Sequence, residues 1–157
     1  MEEALLDVSA DTNRDQVGGE NGRPILGDLL AFNLRCEHLD TPMGIEASQP
    51  RLSWVLKSDV IGQCQTAYQI MAASSPELLK RERGDLWDTG RRLSNRTANI
   101  LYEGAPLGSR QRCFWKVRVW DKDGKASAWS EAAAWEMGLL TPADWQAHWI
   151  ARTTDIH

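Results

Sequence analysis

One segment constrains the fold more than any other: RCFWKVRVWDKDG, residues 112–124. Cys113, Trp115, Val117 and Val119 alternate with Phe114, Lys116, Arg118 and Trp120, so a period of two sends the first set to one face and the second to the other. That is the period of a strand. It closes on Asp121 to Gly124, a turn with glycine where a positive φ is wanted. EAAAWEMG (131–138) then returns as its antiparallel partner.

The rest of the chain supplies partners of the same kind. LLAFNLRC (29–36) reads as a first strand, and DTPMGIEASQP (40–50), with its prolines and glycine, as a loop. RLSWVLKS (51–58) alternates, with Leu52, Trp54 and Leu56 on one face, and QTAYQIMAASS (65–75) aligns Tyr68, Ile70 and Ala72. PELLKRERG (76–84) is the one helical candidate, capped by Ser75, opened by Pro76 and ended by Gly84. DLWDTG (85–90) and TANILYEG (97–104) read as short strands. The fold class is therefore all-β: a sandwich of about seven antiparallel strands, with one short helix between the third and fourth. Its expected inward set is Leu52, Trp54, Leu56, Tyr68, Ile70, Ile100, Trp115, Val117, Val119, Trp135 and Met137.

Three segments follow: a flexible acidic leader at 1–25, the sandwich at 26–138, and a linker with the start of a further β-sandwich domain at 139–157. The leader has six acids and two bases, and the remainder has sixteen of each sign. A body without positive surplus is poorly suited to nucleic acid or to anionic membrane surfaces. No apolar run approaches the ~20 residues of a membrane helix. The first residues lack a basic region and an apolar stretch, so no signal peptide is visible, and a cytoplasmic location is favoured. Cys36, Cys64 and Cys113 are too few and too odd in number for a disulfide framework, and read as reduced, buried thiols.

The order of elements resembles a fibronectin type III or immunoglobulin-like sandwich. NLRCEHLDTPMGIEASQPRLSW (33–54), QTAYQIMAASS (65–75), GDLWDTG (84–90), FWKVRVWDKDG (114–124), SAWS (127–130) and WEMGLLTPADWQAHWI (135–150) together resemble the N-terminal module of bacterial α-L-rhamnosidases. The resemblance covers residues 29–151. It implies a parent glycoside hydrolase that removes terminal α-L-rhamnose with inversion, using carboxylates on a catalytic (α/α)-barrel outside this chain. It gives the module itself a packing role, beside downstream domains of the same parent. Cys113 stands where such modules usually carry a tyrosine, which puts the tyrosine corner of these sandwiches in doubt.

The residues themselves point away from chemistry. Inversion needs two carboxylates roughly 6.5–9.5 Å apart across a sugar site. Asp85 with Asp88 and Asp121 with Asp123 are the candidate pairs, and both sit at turns, where Asp bonds its own backbone. Asp121-Lys-Asp-Gly reaches its glycine too early for a calcium loop. Cys36, His38, Cys64, Cys113 and His148 lack zinc spacing, and no phosphate-cradling glycine motif occurs. No catalytic residue, metal or cofactor is expected. Asn95-Arg96-Thr97 fits a glycosylation sequon but reads as a polar loop.

The tryptophans carry what functional signal there is. Trp54, Trp115 and Trp135 have core parity. Trp87, Trp120, Trp129, Trp145 and Trp149 do not, and they are the candidates for domain docking or sugar contact, with docking preferred. SAWS resembles the tryptophan–serine element of cytokine-receptor sandwiches, which implies that Arg118 stacks on Trp129. Three readings stand: a non-catalytic module of an α-L-rhamnosidase, a carbohydrate-binding module using exposed tryptophans, and a protein-interaction sandwich with no enzyme attached.

Overall fold

The computed structural model describes residues 27–146. The expected leader at 1–25 lies outside them, as do Trp149 and His148. Eight strands form two antiparallel sheets. β1 (Leu30–Cys36), β2 (Arg51–Lys57) and β6 (Ile100–Leu101) make the smaller, in the order β1-β2-β6. β3 (Ala67–Ala73), β4 (Trp87–Asp88), β5 (Arg92–Leu93), β7 (Arg112–Trp120) and β8 (Ala133–Glu136) make the larger. Its order is β4-β3-β7-β8, and β5 also pairs with β3. β4 and β5 are one edge strand, broken where Thr89 accepts from the Ile70 N–H through its hydroxyl (2.9 Å) and Gly90 turns at φ 58°. Counted that way, there are seven strand positions.

The inner faces meet in one apolar core. Trp115, Trp135, Leu52, Ile70, Val117, Val119 and Met137 are almost wholly buried there, with Trp54, Tyr68 and Ile100 close behind. Leu56 is only half-buried, because it lies at the open end of β2. The rings of Trp87, Tyr102, Trp135 and Trp115 form a run of edge-to-face contacts at 5.2, 5.6 and 6.4 Å, and Trp54 meets Tyr68 at 5.3 Å. Such pairs contribute about 0.5–1.5 kcal/mol each beyond burial.

Several residues outside the expected inward set also belong to this core: Leu29, Ala31, Leu34, Cys36, Ile45, Trp87, Tyr102 and Cys113. β1 hid its parity behind a bulge between Phe32 and Arg35, where Asn33 takes φ 49°. Past that extra residue the inward positions switch from Ala31 to Leu34 and Cys36. Trp87, expected among the free aromatics, packs instead against Tyr102.

β3 departs from alternation, since all seven of its residues are buried. It is the central strand, and its outer face lies under the helix and the β7 side chains, where Met71, Ala73 and Leu79 form a second small cluster. The helix, α1, runs only from Pro76 to Lys80. Ser75 caps it by accepting from the Leu78 N–H at 3.2 Å. Gly84 does not end it. Glu82 takes the left-handed position (φ 54°), with Arg83 N–H bonded to Leu78 O and Glu82 N–H to Leu79 O, the paired bonds of a Schellman close. Gly84 is needed for space: a Cβ there would press on the Trp87 carbonyl and lie 2.8 Å from Met71 Cγ.

One further expectation is corrected. Cys64 is exposed, while Cys36 and Cys113 are buried. The buried position beside it is Gln65, whose side chain accepts from Trp54 Nε1 at 3.0 Å and donates to the carbonyls of Ser94 and Arg96. A tyrosine hydroxyl does brace the sandwich despite Cys113: Tyr102, just after β6, donates to Ala105 O at 2.8 Å.

Candidate functional site

The outer face of β7 brings the sequence's polar and aromatic signals together. Lys116, Arg118 and Trp120 project from it beside Phe114. Trp129 arrives from residues 127–130, which form no strand. Serine hydroxyls do the work of a strand's carbonyls. Ser127 Oγ accepts from Val119 N–H and Ser130 Oγ from Val117 N–H, both at 3.0 Å. The Ser127 and Ser130 N–H groups return bonds to Val119 O and Val117 O. This spacing fixes the Trp129 indole over the β7 cations.

The result is a ladder of cations and indoles. Lys116 Nζ and Arg118 Cζ each lie 4.7 Å from the Trp129 ring centre. Arg118 also lies 5.2 Å from Trp120, which Arg91 approaches at 5.1 Å. Arg118 Nε donates to Gln69 at 2.9 Å, and Gln69 donates to Asp88 at 2.7 Å, so the guanidinium is anchored as well as stacked. The Trp120 ring is buried beneath this network rather than open for docking.

Of the five candidate tryptophans, only Trp145 is openly exposed among the described residues, at 69%. It stands at the end of a fixed segment. Thr141 opens a 3-10 turn, Pro142–Asp144. Asp144 binds the Ser109 hydroxyl and accepts from Thr141 N–H at 3.0 Å and Thr141 Oγ1 at 2.8 Å. Those hydrogen bonds, the one from Ser109 above all, hold the Asp144 carboxyl below its ordinary pKa. Residues 138–145 thus leave the sandwich in a set direction. A groove of 450 Å³ runs beside Trp145, lined by Glu46, Leu140 and Pro142.

Three of the four candidate carboxylates, Asp85, Asp88 and Asp121, are engaged locally. Asp85 accepts from the Ser74 N–H at 2.9 Å and from its hydroxyl at 2.5 Å. Burial pushes the Asp85 pKa up, but these bonds outweigh it and leave it below the ordinary value. Asp88 accepts from Gln69 and from Gly90 N–H. Asp121 accepts from the N–H groups of Asp123 and Lys125 at 2.9 and 2.8 Å, an Asx turn closed by Gly124 at φ 78°.

Among the described residues no three His, Cys, Asp or Glu side chains gather as a metal ion requires. Burial pushes the Cys36 thiol up to about 12 and raises Cys113 too, so neither is a poised nucleophile.

The family described as Rha78A-like, N-terminal immunoglobulin domain matches residues 31–141. An α-L-rhamnosidase of Streptomyces avermitilis is 44% identical over 115 residues, covering 73% of this chain and 11% of that protein. One from Formosa agariphila is 44% identical over 118 residues, 75% of this chain and 13% of its own length. The structure of the Streptomyces avermitilis enzyme complexed with L-rhamnose superposes with TM-score 0.74 at 42% identity, over 79% of this chain and 12% of that one. The α-L-rhamnosidase structure from Dictyoglumus thermophilum also gives 0.74, at 38% identity, over 78% and 14%. This chain therefore spans about an eighth of the length of the relatives it matches. With its two-sheet sandwich, it belongs to the family of Rha78A-like N-terminal immunoglobulin domains.

Proposed function

We propose that this chain is the non-catalytic N-terminal structural module of an α-L-rhamnosidase whose parent hydrolyses terminal α-L-rhamnose with inversion. The observation that carries this reading is the family match over residues 31–141, combined with relatives named for that activity and eight times longer. The geometry supports it, because Asp85, Asp88 and Asp121 are spent on local hydrogen bonds and the Trp120 and Trp129 indoles on cations. The domain layout belongs to the same reading: leader 1–25, sandwich 26–138, and passage into the next domain from 139. Downstream domains of the parent are its partners, and the 138–145 bracket with Trp145 is the place to meet them. A carbohydrate-binding platform of tryptophans would need several open indoles, and among the described tryptophans only Trp145 offers one.

The test is enzymatic. The purified 157-residue chain is expected to leave an aryl α-L-rhamnoside uncleaved across the pH range, and the parent chain to cleave it. Asp85→Asn, Asp88→Asn, Asp121→Asn and Asp123→Asn in the parent are expected to leave kcat nearly unchanged. Hydrolysis by the isolated chain that survives repurification and disappears in one of those variants would overturn the reading.

A further inference from the structure

At one end of the ladder lies a small pocket of 290 Å³ between α1 and the segment after Trp129. Its walls include Leu79, Trp129 and Ala132, and its cations are Lys80 and Lys116. None of the lining residues is acidic.

Lys116 is unusual. It is 8% exposed, yet its ammonium makes no hydrogen bond and no ion pair with any described residue. The sealed, unbonded side-chain nitrogens of the described residues are the indole Nε1 atoms of Trp115, Trp129 and Trp135, so the Lys116 ammonium opens to the pocket. A cation on an indole recovers part of what desolvation costs, but the described protein groups offer no acceptor to its three N–H donors. Burial accordingly lowers the lysine's pKa, with Glu82 opposing and Arg118 adding to the effect.

We propose that this pocket receives an aspartate or glutamate side chain from another domain of the parent chain. A carboxylate matches two unpaired ammonium groups through short, charge-assisted bonds. The apolar walls select an anion on a short alkyl stem over a compact, fully hydrated one such as phosphate. The choice of occupant rests on the proposed function, since the relatives carry most of their length outside this module. The pocket itself stands on this chain's own residues.

Two experiments test it. First, the 157-residue chain is titrated with sodium butyrate, with butyramide and inorganic phosphate as controls, and followed by NMR at the Lys116 and Trp129 side chains. A saturable shift with Kd on the order of 1–10 mM is expected for butyrate alone, the scale of one charged contact with little buried area. Lys116→Met is expected to weaken it about tenfold, and the exposed Lys80→Gln less. No saturable shift, or an equal response to butyramide, overturns the proposal. Second, Lys116 acetylation by acetic anhydride is compared in the isolated chain and in the parent. Protection in the parent supports an interdomain side chain. Equal reactivity in both, with butyrate bound in the first experiment, overturns that occupant in favour of a free small acid. Neither result depends on whether the parent cleaves rhamnosides, so failure of the pocket and failure of the proposed function stay separate.

Discussion

The two faces of β7 are built from the same nine residues by opposite means. The inner face holds Cys113, Trp115, Val117 and Val119 in an apolar core between two sheets, where Trp115 meets Trp135 edge to face. The outer face has no second sheet above it. It is covered by charge on aromatic surface: Lys116 and Arg118 on Trp129, Arg118 and Arg91 on Trp120. Burial energy scales with apolar area, whereas a cation–indole contact is short in range and modest in size. The inner face should therefore dominate stability, and the outer face should set which segments lie where.

The sharpest way to break this comparison is to exchange the costs. Trp115→Ala is expected to destabilise the chain by about 3–5 kcal/mol in urea unfolding, the range for a large aromatic lost from a core. Trp129→Ala, which frees two cations, is expected to cost about 1–2 kcal/mol. Equal losses would show that the ladder belongs to the core energetically. Ser127→Ala or Ser130→Ala should cost about 1 kcal/mol each, because a β7 N–H then lacks its acceptor. Hydrogen exchange should accelerate at Val119 in the first variant and at Val117 in the second, and not at the inner-face neighbours beyond them.

The smallest expected effect is a pH dependence. Lys116 has its folded-state pKa below the ordinary value of 10.5, chiefly through burial, with Glu82 raising it and Arg118 lowering it. Above the folded pKa and below the unfolded one, the unfolded chain binds the extra proton, so stability rises with pH across that window. Wild type should gain on Lys116→Met as pH increases toward 10.5 in thermal unfolding scans. A constant difference would mean that Lys116 titrates as a free lysine.

Legibility followed the same division. The inner face of β7 and β2 was readable because alternation at period two reports burial directly. β1 was not, since the bulge at Asn33 reverses parity within the strand. The positive φ at Glu82 gave no composition signal, so the helix end fell four residues short of Gly84, and Gly84 proved to answer a crowded contact instead. Among the candidate tryptophans, sequence parity could not separate Trp87, sunk beside Tyr102, from Trp145, left open at the exit. Nothing local marks Gln65 as the partner of Trp54 Nε1 across an eleven-residue separation.

By itself, then, the sequence determined a sandwich, the inward parity of β2 and β7 and the Asp121–Gly124 turn, because each of these rests on local periodicity and turn chemistry. The tertiary structure alone decided that Lys116 shares the Trp129 ring and that Arg91 reaches Trp120, why β3 is covered on both faces, and that Lys116 ends at a pocket with no acidic residue in its lining. Those depend on residues brought together from different strands and loops, and burial of a charge is settled by its neighbours in space rather than along the chain.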